Sequence, residues 1–117
     1  QRSFIDMNKV FAILVGGAAG QGIKSTGLAV AKALAKAGFN TYNYSEYPSL
    51  IRGGHNTVQI TFSKDPINAP IKPLDLLIAF NKETIDKHKD RLKSDGQIFE
   101  SNNTDEILKK VTELYDY

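Results

Sequence analysis

At 117 residues, with 41% hydrophobic and 24% charged residues, the chain has the length and composition of one folded domain rather than of a disordered segment. A formal charge of +2, with cations interleaved among acids as in Lys82-Glu83 and Lys87-His88-Lys89-Asp90-Arg91, provides no basic stripe and argues against a nucleic-acid partner. There is no cysteine, so a disulfide, a thiolate zinc site, iron–sulfur ligation and a cysteine nucleophile are all excluded from this chain, and any redox chemistry belongs to a partner.

Gln1-Arg2-Ser3 opens no signal-peptide hydrophobic region, and no apolar run approaches the ~20 residues of a membrane span. A cytoplasmic location without a membrane partner is therefore expected. Met7 is the single methionine, and residues 1–7 are set aside as a tag or upstream linker, leaving 8–117 as the domain. Val10 to Val15 is short, apolar and β-prone, as a strand buried on both faces of a parallel sheet should be. A helix follows from Ile23 to Ala37, with Ile23, Gly27, Ala31, Leu34 and Ala35 on one side, Lys24, Lys32 and Lys36 on another, and Gly38 as its stop.

Asn40 to Ser45 reads as a second strand with Tyr42 and Tyr44 on one face, broken by Pro48. Tyr47 to Asn56 reads as a loop, after which Val58, Ile60 and Phe62 alternate with Thr57, Gln59 and Thr61 in a strand with one polar face. Pro66, Pro70 and Pro73 mark an extended connection, and Leu74 to Phe80 supplies another buried strand. Asn81 is the expected N-cap of a helix ending near Lys93, with Gly96 as its stop and Gln97 to Glu100 as a short strand. Asn103 with Glu106 three residues on starts a last helix carrying Ile107, Leu108, Val111, Leu114 and Tyr115. The order β-α-β-loop-β-β-α-β-α predicts an α/β fold, Rossmann-like, with a mostly parallel sheet flanked by helices. An amphipathic helix so close to Tyr117 suggests a chain truncated at its C-terminus and belonging to a longer polypeptide.

The stretch Gly16-Gly17-Ala18-Ala19-Gly20-Gln21-Gly22 stands between the first strand and the first helix, where a phosphate can be held by backbone N–H groups and the helix dipole. Its spacing is neither the G-x-G-x-x-G dinucleotide fingerprint nor a Walker A loop, since Lys24-Ser25 follows Ile23. A glycine turn serving packing alone is the competing interpretation. Glu46 stands where a dinucleotide site keeps its ribose-binding acid, but it lies beside Tyr47-Pro48 in a loop, and an ordinary surface glutamate is the favoured reading. Arg52-Gly53-Gly54-His55-Asn56 brings together a guanidinium, an imidazole and an amide suited to phosphate or carboxylate, against a hairpin turn with incidental polar residues. No acid is placed by spacing to make His55 a general base, and His88 falls in a helix pattern. Neither a catalytic residue nor a metal site is assigned.

Together, Gly17-Ala18-Ala19-Gly20-Gln21-Gly22-Ile23, Glu46-Tyr47-Pro48-Ser49-Leu50-Ile51-Arg52-Gly53-Gly54-His55-Asn56 and Leu74-Asp75-Leu76-Leu77-Ile78-Ala79-Phe80-Asn81 resemble the gamma domain of 2-oxoacid:ferredoxin oxidoreductases, over nearly all of Asn8 to Tyr117. The version fused to the N-terminus of the alpha subunit in 2-oxoglutarate-type enzymes is the most similar. The resemblance implies a Rossmann-like domain that binds coenzyme A and packs against alpha- and beta-type subunits or domains. Those partners would carry thiamine diphosphate, Mg and iron–sulfur clusters and pass electrons to ferredoxin. By motif, Gly17, Gly20, Gln21 and Gly22 would line a first loop against the coenzyme A phosphates, with Lys24 as an added charge. Arg52, Gly53, Gly54, His55 and Asn56 would form a second loop facing the cofactor cleft.

The expected function is thus a supporting one, in the oxidative decarboxylation of a 2-oxoacid to acyl-CoA, with this chain alone inactive. The alternatives are a free-standing NAD or adenine-nucleotide module using Gly17 to Gly22 and Glu46, and a structural domain whose loops meet only protein.

Overall fold

The computed structural model describes residues 10–18, 20–46, 54–66 and 73–115. Five strands, β1 (Phe11–Ala18), β2 (Asn40–Glu46), β3 (His55–Ser63), β4 (Leu74–Ala79) and β5 (Leu92–Glu100), form one sheet in the order β2-β3-β1-β4-β5. Four of them run the same way. β3 runs against its neighbours β1 and β2, while β1 and β4, and β4 and β5, pair in parallel. The α/β class and the mostly parallel direction agree with the sequence pattern.

The period-two patterning of β1 divides the molecule into layers. Phe11, Ile13 and Val15 point to the face covered by α1 (Ile23–Lys36) and α3 (Thr104–Tyr115), where they join Val30, Leu34, Ile60, Phe62, Ile78, Ile107 and Val111 in the main core. Ala12 and Leu14 point the other way, into a smaller cluster with Leu74 and Leu77. That second face carries α2 (Lys82–His88) and a 3-10 turn, Lys89–Arg91. Burial at both faces explains why β1 and β4 lack the polar alternation of a half-exposed strand.

The polar stripe of β3 is buried. Thr57, Gln59, Thr61 and Ser63 are all at most 5% exposed, and Arg91 in the 3-10 turn donates to Gln59 Oε1 at 2.6 Å. On the same face Asp75 accepts the Ala12 N–H and the Lys93 ammonium, each at 2.9 Å. Buried polar groups with partners of this kind fix which strand lies where, because an unpaired one is costly.

Five expectations are corrected. Gly16, Gly17 and Ala18 are residues of β1 rather than of a turn, and His55 and Asn56 begin β3 rather than ending a loop. The helix from Asn81 stops at His88, and Leu92 and Lys93 already belong to β5. Gly96 is therefore no helix stop. It lies where the β4–β5 register shifts, and a Cβ there would stand 2.9 Å from the Leu74 carbonyl and 2.9 Å from Leu92 Cδ2. On α1 the buried set includes Thr26 and Val30, and Ala35 is exposed. Both expected caps hold: Asn81 Oδ1 accepts from Thr84 N at 3.0 Å and Asn103 Oδ1 from Glu106 N at 3.0 Å.

Candidate functional site

In open α/β sheets, ligands bind beyond the carboxyl ends of the strands, where helices leave to opposite faces. That point lies here between the parallel neighbours β1 and β4, since β1 leads to α1 on one face and β4 to α2 on the other. The chain after β1 turns through Gly20 at φ +89° and Gly22 at φ +84°, a region that L side chains rarely adopt. Gln21 holds the turn: its backbone N–H donates to the Ala18 carbonyl at 3.1 Å, and its Oε1 accepts from Ala18 N at 2.6 Å and from Asn81 Nδ2 at 3.4 Å. The last of these ties the turn to the cap of α2.

Gly22 is the N-cap of α1 and contributes no side-chain hydrogen bond, and the first helical turn contains no acid but does contain Lys24. The early N–H groups and the positive end of the dipole thus meet a cation and no internal anion, an arrangement suited to an external one. A Cβ on Gly20 or Gly22 would meet nothing within 4 Å, so these glycines answer to backbone conformation and leave the turn open. Gly17 differs. A Cβ there would lie 2.7 Å from Phe80 Cβ and 2.8 Å from both Gln21 Oε1 and Ile23 Cδ1, so packing alone accounts for it.

The antiparallel register of β1 and β3 pairs Gly17 with Asn56 and Ala18 with His55. It thereby brings part of the second motif, about thirty residues away in sequence, against the first. Gly54 immediately precedes β3; Arg52 and Gly53 lie outside the described residues. Asn56 belongs to the α1 face, and its buried Oδ1 has no hydrogen-bond partner among the described residues. His55 belongs to the opposite face, where its Nε2 stands 2.9 Å from Nε2 of His88 on α2, the rings lying 5.0 Å apart and nearly parallel at 23°. One imidazole must donate and the other accept, which requires at least one neutral ring. Burial lowers the pKa of both from the ordinary 6.5. Lys87 adds to the effect at His55, as do the facing His55, Arg91 and Lys87 at His88, while Glu83 and Glu46 respectively oppose it. This pair was invisible in the sequence, because the histidines meet only through the packing of α2 on β3.

Glu46 ends β2, exposed, and accepts from the Tyr44 hydroxyl at 3.3 Å. A groove of about 200 Å³ lies between α1 and β2, lined by Lys24, Gly27, Leu28, Asn43, Ser45 and Val58, so that Lys24 is shared between groove and turn. Among the described residues no three His, Cys, Asp or Glu side chains could hold a metal ion, and no helix is long and apolar enough to cross a membrane.

These features define a Rossmann-like α/β domain with an open, anion-ready turn at its switch point. The pyruvate ferredoxin/flavodoxin oxidoreductase family matches residues 12–113, and the chain belongs to that family. The 2-oxoacid:ferredoxin oxidoreductase subunit alpha of a Sulfolobus species is 35% identical over 75 residues, covering 64% of this chain and 12% of that subunit. Ketoisovalerate oxidoreductase subunit VorA of Methanothermobacter marburgensis is 28% identical over 99 residues, which are 84% of this chain and 21% of that one. Among solved structures, 2-oxoglutarate:ferredoxin oxidoreductase from Magnetococcus marinus, with 2-oxoglutarate, coenzyme A and succinyl-CoA bound, is 32% identical at a TM-score of 0.70, over 78% of this chain and 16% of that one. The gamma subunit of a keto/oxoacid ferredoxin oxidoreductase from Geobacter sulfurreducens gives 27% and 0.66, over 77% of this chain and 49% of that one. The chain thus spans a small part of the alpha subunits it matches and about half of the separate gamma subunit.

Proposed function

We propose that this chain is the gamma-type domain of a 2-oxoacid:ferredoxin oxidoreductase, of the version fused at the N-terminus of an alpha subunit, and that it holds coenzyme A. Likeness to alpha subunits and to a gamma subunit together supports the assignment. The observation that carries the ligand assignment is the β1–β3 register, which gathers the glycine turn and the Gly54-His55-Asn56 segment at one end of the sheet. The diphosphate of coenzyme A suits the uncapped start of α1, with Gly20, Gln21 and Gly22 offering backbone and Lys24 a counter-charge. Arg52 and Gly53 complete the second segment in this assignment, and Gly17 lets the turn sit close on the sheet.

The solved relative with coenzyme A and succinyl-CoA bound supports the choice of ligand. Thiamine diphosphate with Mg, held by the partner domains, would supply the carbanion chemistry of decarboxylation, and iron–sulfur clusters there would carry electrons to ferredoxin. This cysteine-free chain binds and orients, is cytoplasmic, and is inactive alone.

Calorimetric titration with coenzyme A, NAD and ATP tests the proposal. Coenzyme A should bind, and Lys24→Ala should weaken it about fivefold, the ~1 kcal/mol of an exposed charge contact. Binding of NAD without coenzyme A would transfer the site to a nucleotide module, for which Glu46 already stands at the end of the second strand. Binding of none of the three would leave a domain that meets only protein.

A further inference from the structure

α2 meets both halves of the candidate site, one at each end. At its start Asn81 caps the helix through Oδ1, which accepts from Thr84 N at 3.0 Å and from Thr84 Oγ1 at 2.7 Å, while its Nδ2 donates to Gln21 of the glycine turn at 3.4 Å. At its far end His88 meets His55, the first residue of β3 and the register partner of Ala18. The helix is seven residues long and, among the described residues, gives none to either apolar cluster. Elements with so small an apolar share are the first to open.

The histidine contact has a form that protons can break. Ring centres 5.0 Å apart leave 2.9 Å between the two Nε2 atoms only if those atoms lie almost on the line joining the centres, so the rings meet edge to edge. One Nε2 carries the hydrogen and the other accepts it. A first added proton can be taken at Nδ1 of the donor ring, which leaves the contact in place. A second has to go to the accepting Nε2, and it sets two N–H groups and two charges against each other. Lys87 of α2 and Arg91 of the 3-10 turn face the pair with positive charge, Glu83 of α2 and Glu46 of β2 with negative charge. Lys87 and Glu83 are already paired at 3.3 Å, so these four do not neutralise a doubly charged pair. Burial also disfavours two charged rings side by side, and the pair takes the second proton by parting.

We propose that the His55–His88 contact is a proton-operated clasp, which near neutral pH holds α2 against the start of β3 and which on double protonation frees the helix and, through Asn81, loosens Gln21 and the glycine turn. The turn is thereby regulated by pH, and the bearing of this on a ligand rests on the coenzyme A reading above. Once Gln21 is loose, the N–H groups that receive an anion are no longer fixed in place, so affinity falls as the medium acidifies.

Hydrogen exchange of the complete protein, read by mass spectrometry at about pH 7.5 and about pH 5 and corrected for the intrinsic effect of pH, tests the clasp. Peptides covering Thr84 to Lys89 report α2, and peptides spanning Ala18 and Gln21 report the turn, because the Ala18 N–H is held by the Gln21 side chain. Protection of both should fall together with acid, at least ~tenfold relative to β1. His88→Gln places a neutral amide at the contact that can donate or accept by turning over, so both falls should shrink below ~twofold. Asn81→Asp keeps the cap but loses the donor to Gln21; α2 should still open with acid while the turn no longer follows. A parent protein whose α2 stays protected at about pH 5, or an equal fall in His88→Gln, would overturn the clasp whether or not coenzyme A binds. A turn that still follows α2 in Asn81→Asp would overturn the link between them. Equilibrium dialysis then adds the ligand: the coenzyme A dissociation constant should rise with acid at least ~threefold more in the parent than in His88→Gln, a comparison that cancels titration of the ligand's own phosphates. Absence of coenzyme A binding in both proteins would instead defeat the ligand reading, with the clasp decided by the exchange result.

Discussion

Gly17→Ala separates a glycine required by packing from one required by a ligand. The new methyl would stand 2.7 Å from Phe80 Cβ, 2.8 Å from Ile23 Cδ1 and 2.8 Å from Gln21 Oε1. Phe80 Cβ is fixed to the backbone and cannot swing away. Gln21 Oε1 can, but only by giving up the Ala18 N–H that it accepts at 2.6 Å. Overpacking costs about 1–3 kcal/mol and the lost hydrogen bond about 1 kcal/mol, against which the lower entropy of the unfolded alanine chain returns about 0.4–1 kcal/mol. The net expectation is a loss of about 1–3.6 kcal/mol, or roughly 4–14 °C in Tm for a domain of this size. Urea denaturation of Gly17→Ala, Ile23→Val and the double variant measures it. Ile23→Val removes one of the three clashing atoms, so the methyl should cost less in that background, with a coupling of about 0.5–1 kcal/mol. A Gly17→Ala protein within about 0.5 kcal/mol of the parent, or strictly additive variants, would refute the packing argument.

Two further expectations concern the second face of the sheet. Both histidines of the His55–His88 pair are held below 6.5, so below that pH the unfolded chain binds protons that the folded one resists. Stability should accordingly be full above 6.5 and fall as the pH drops from there toward the lowered folded pKa values; thermal melts across this window should slope less in His88→Gln, and an unchanged slope would exclude the pair as its source. Asp75→Ala strands the Ala12 N–H and the Lys93 ammonium and should cost about 2–3 kcal/mol, whereas Lys93→Met should cost less because the aspartate keeps its backbone donor; chemical denaturation that ranked them the other way would contradict this.

What could be read in the sequence was whatever depended on local periodicity or chain neighbours. The apolar run of β1, the spacing of α3 and the Asn81 and Asn103 caps all survive intact, because residues one to four apart determine them. The same holds for Gly20 to Gly22 as the turn between strand and helix, though Gly16 to Ala18 extend β1. Features set by distant packing were not legible. Leu92 and Lys93 continue a helix-like composition, yet pairing with β4 and the Lys93–Asp75 contact draw them into β5. At Gly17 the sequence shows one more glycine of the turn motif, and the close approach of Phe80 and Ile23 to it depends on packing. His55 lacked a partner in sequence because its partner is His88, 33 residues away, reached only across the layer between sheet and helix.

The eight unbroken pairs between β1 and β3 also bear on which length changes this domain can accept. Side chains alternate faces along β3, so adding or deleting one residue between His55 and Phe62 would exchange the faces of everything on one side of the change. Asn56 would turn from α1 toward α2, and His55 would leave His88 for the core that surrounds Gly17. Two-residue changes would preserve the faces but slide the Gly54-His55-Asn56 segment past the end of β1. Length variation should therefore accumulate in the connections and stay out of β3, with the spacing from His55 to Phe62 held constant wherever both segments are kept.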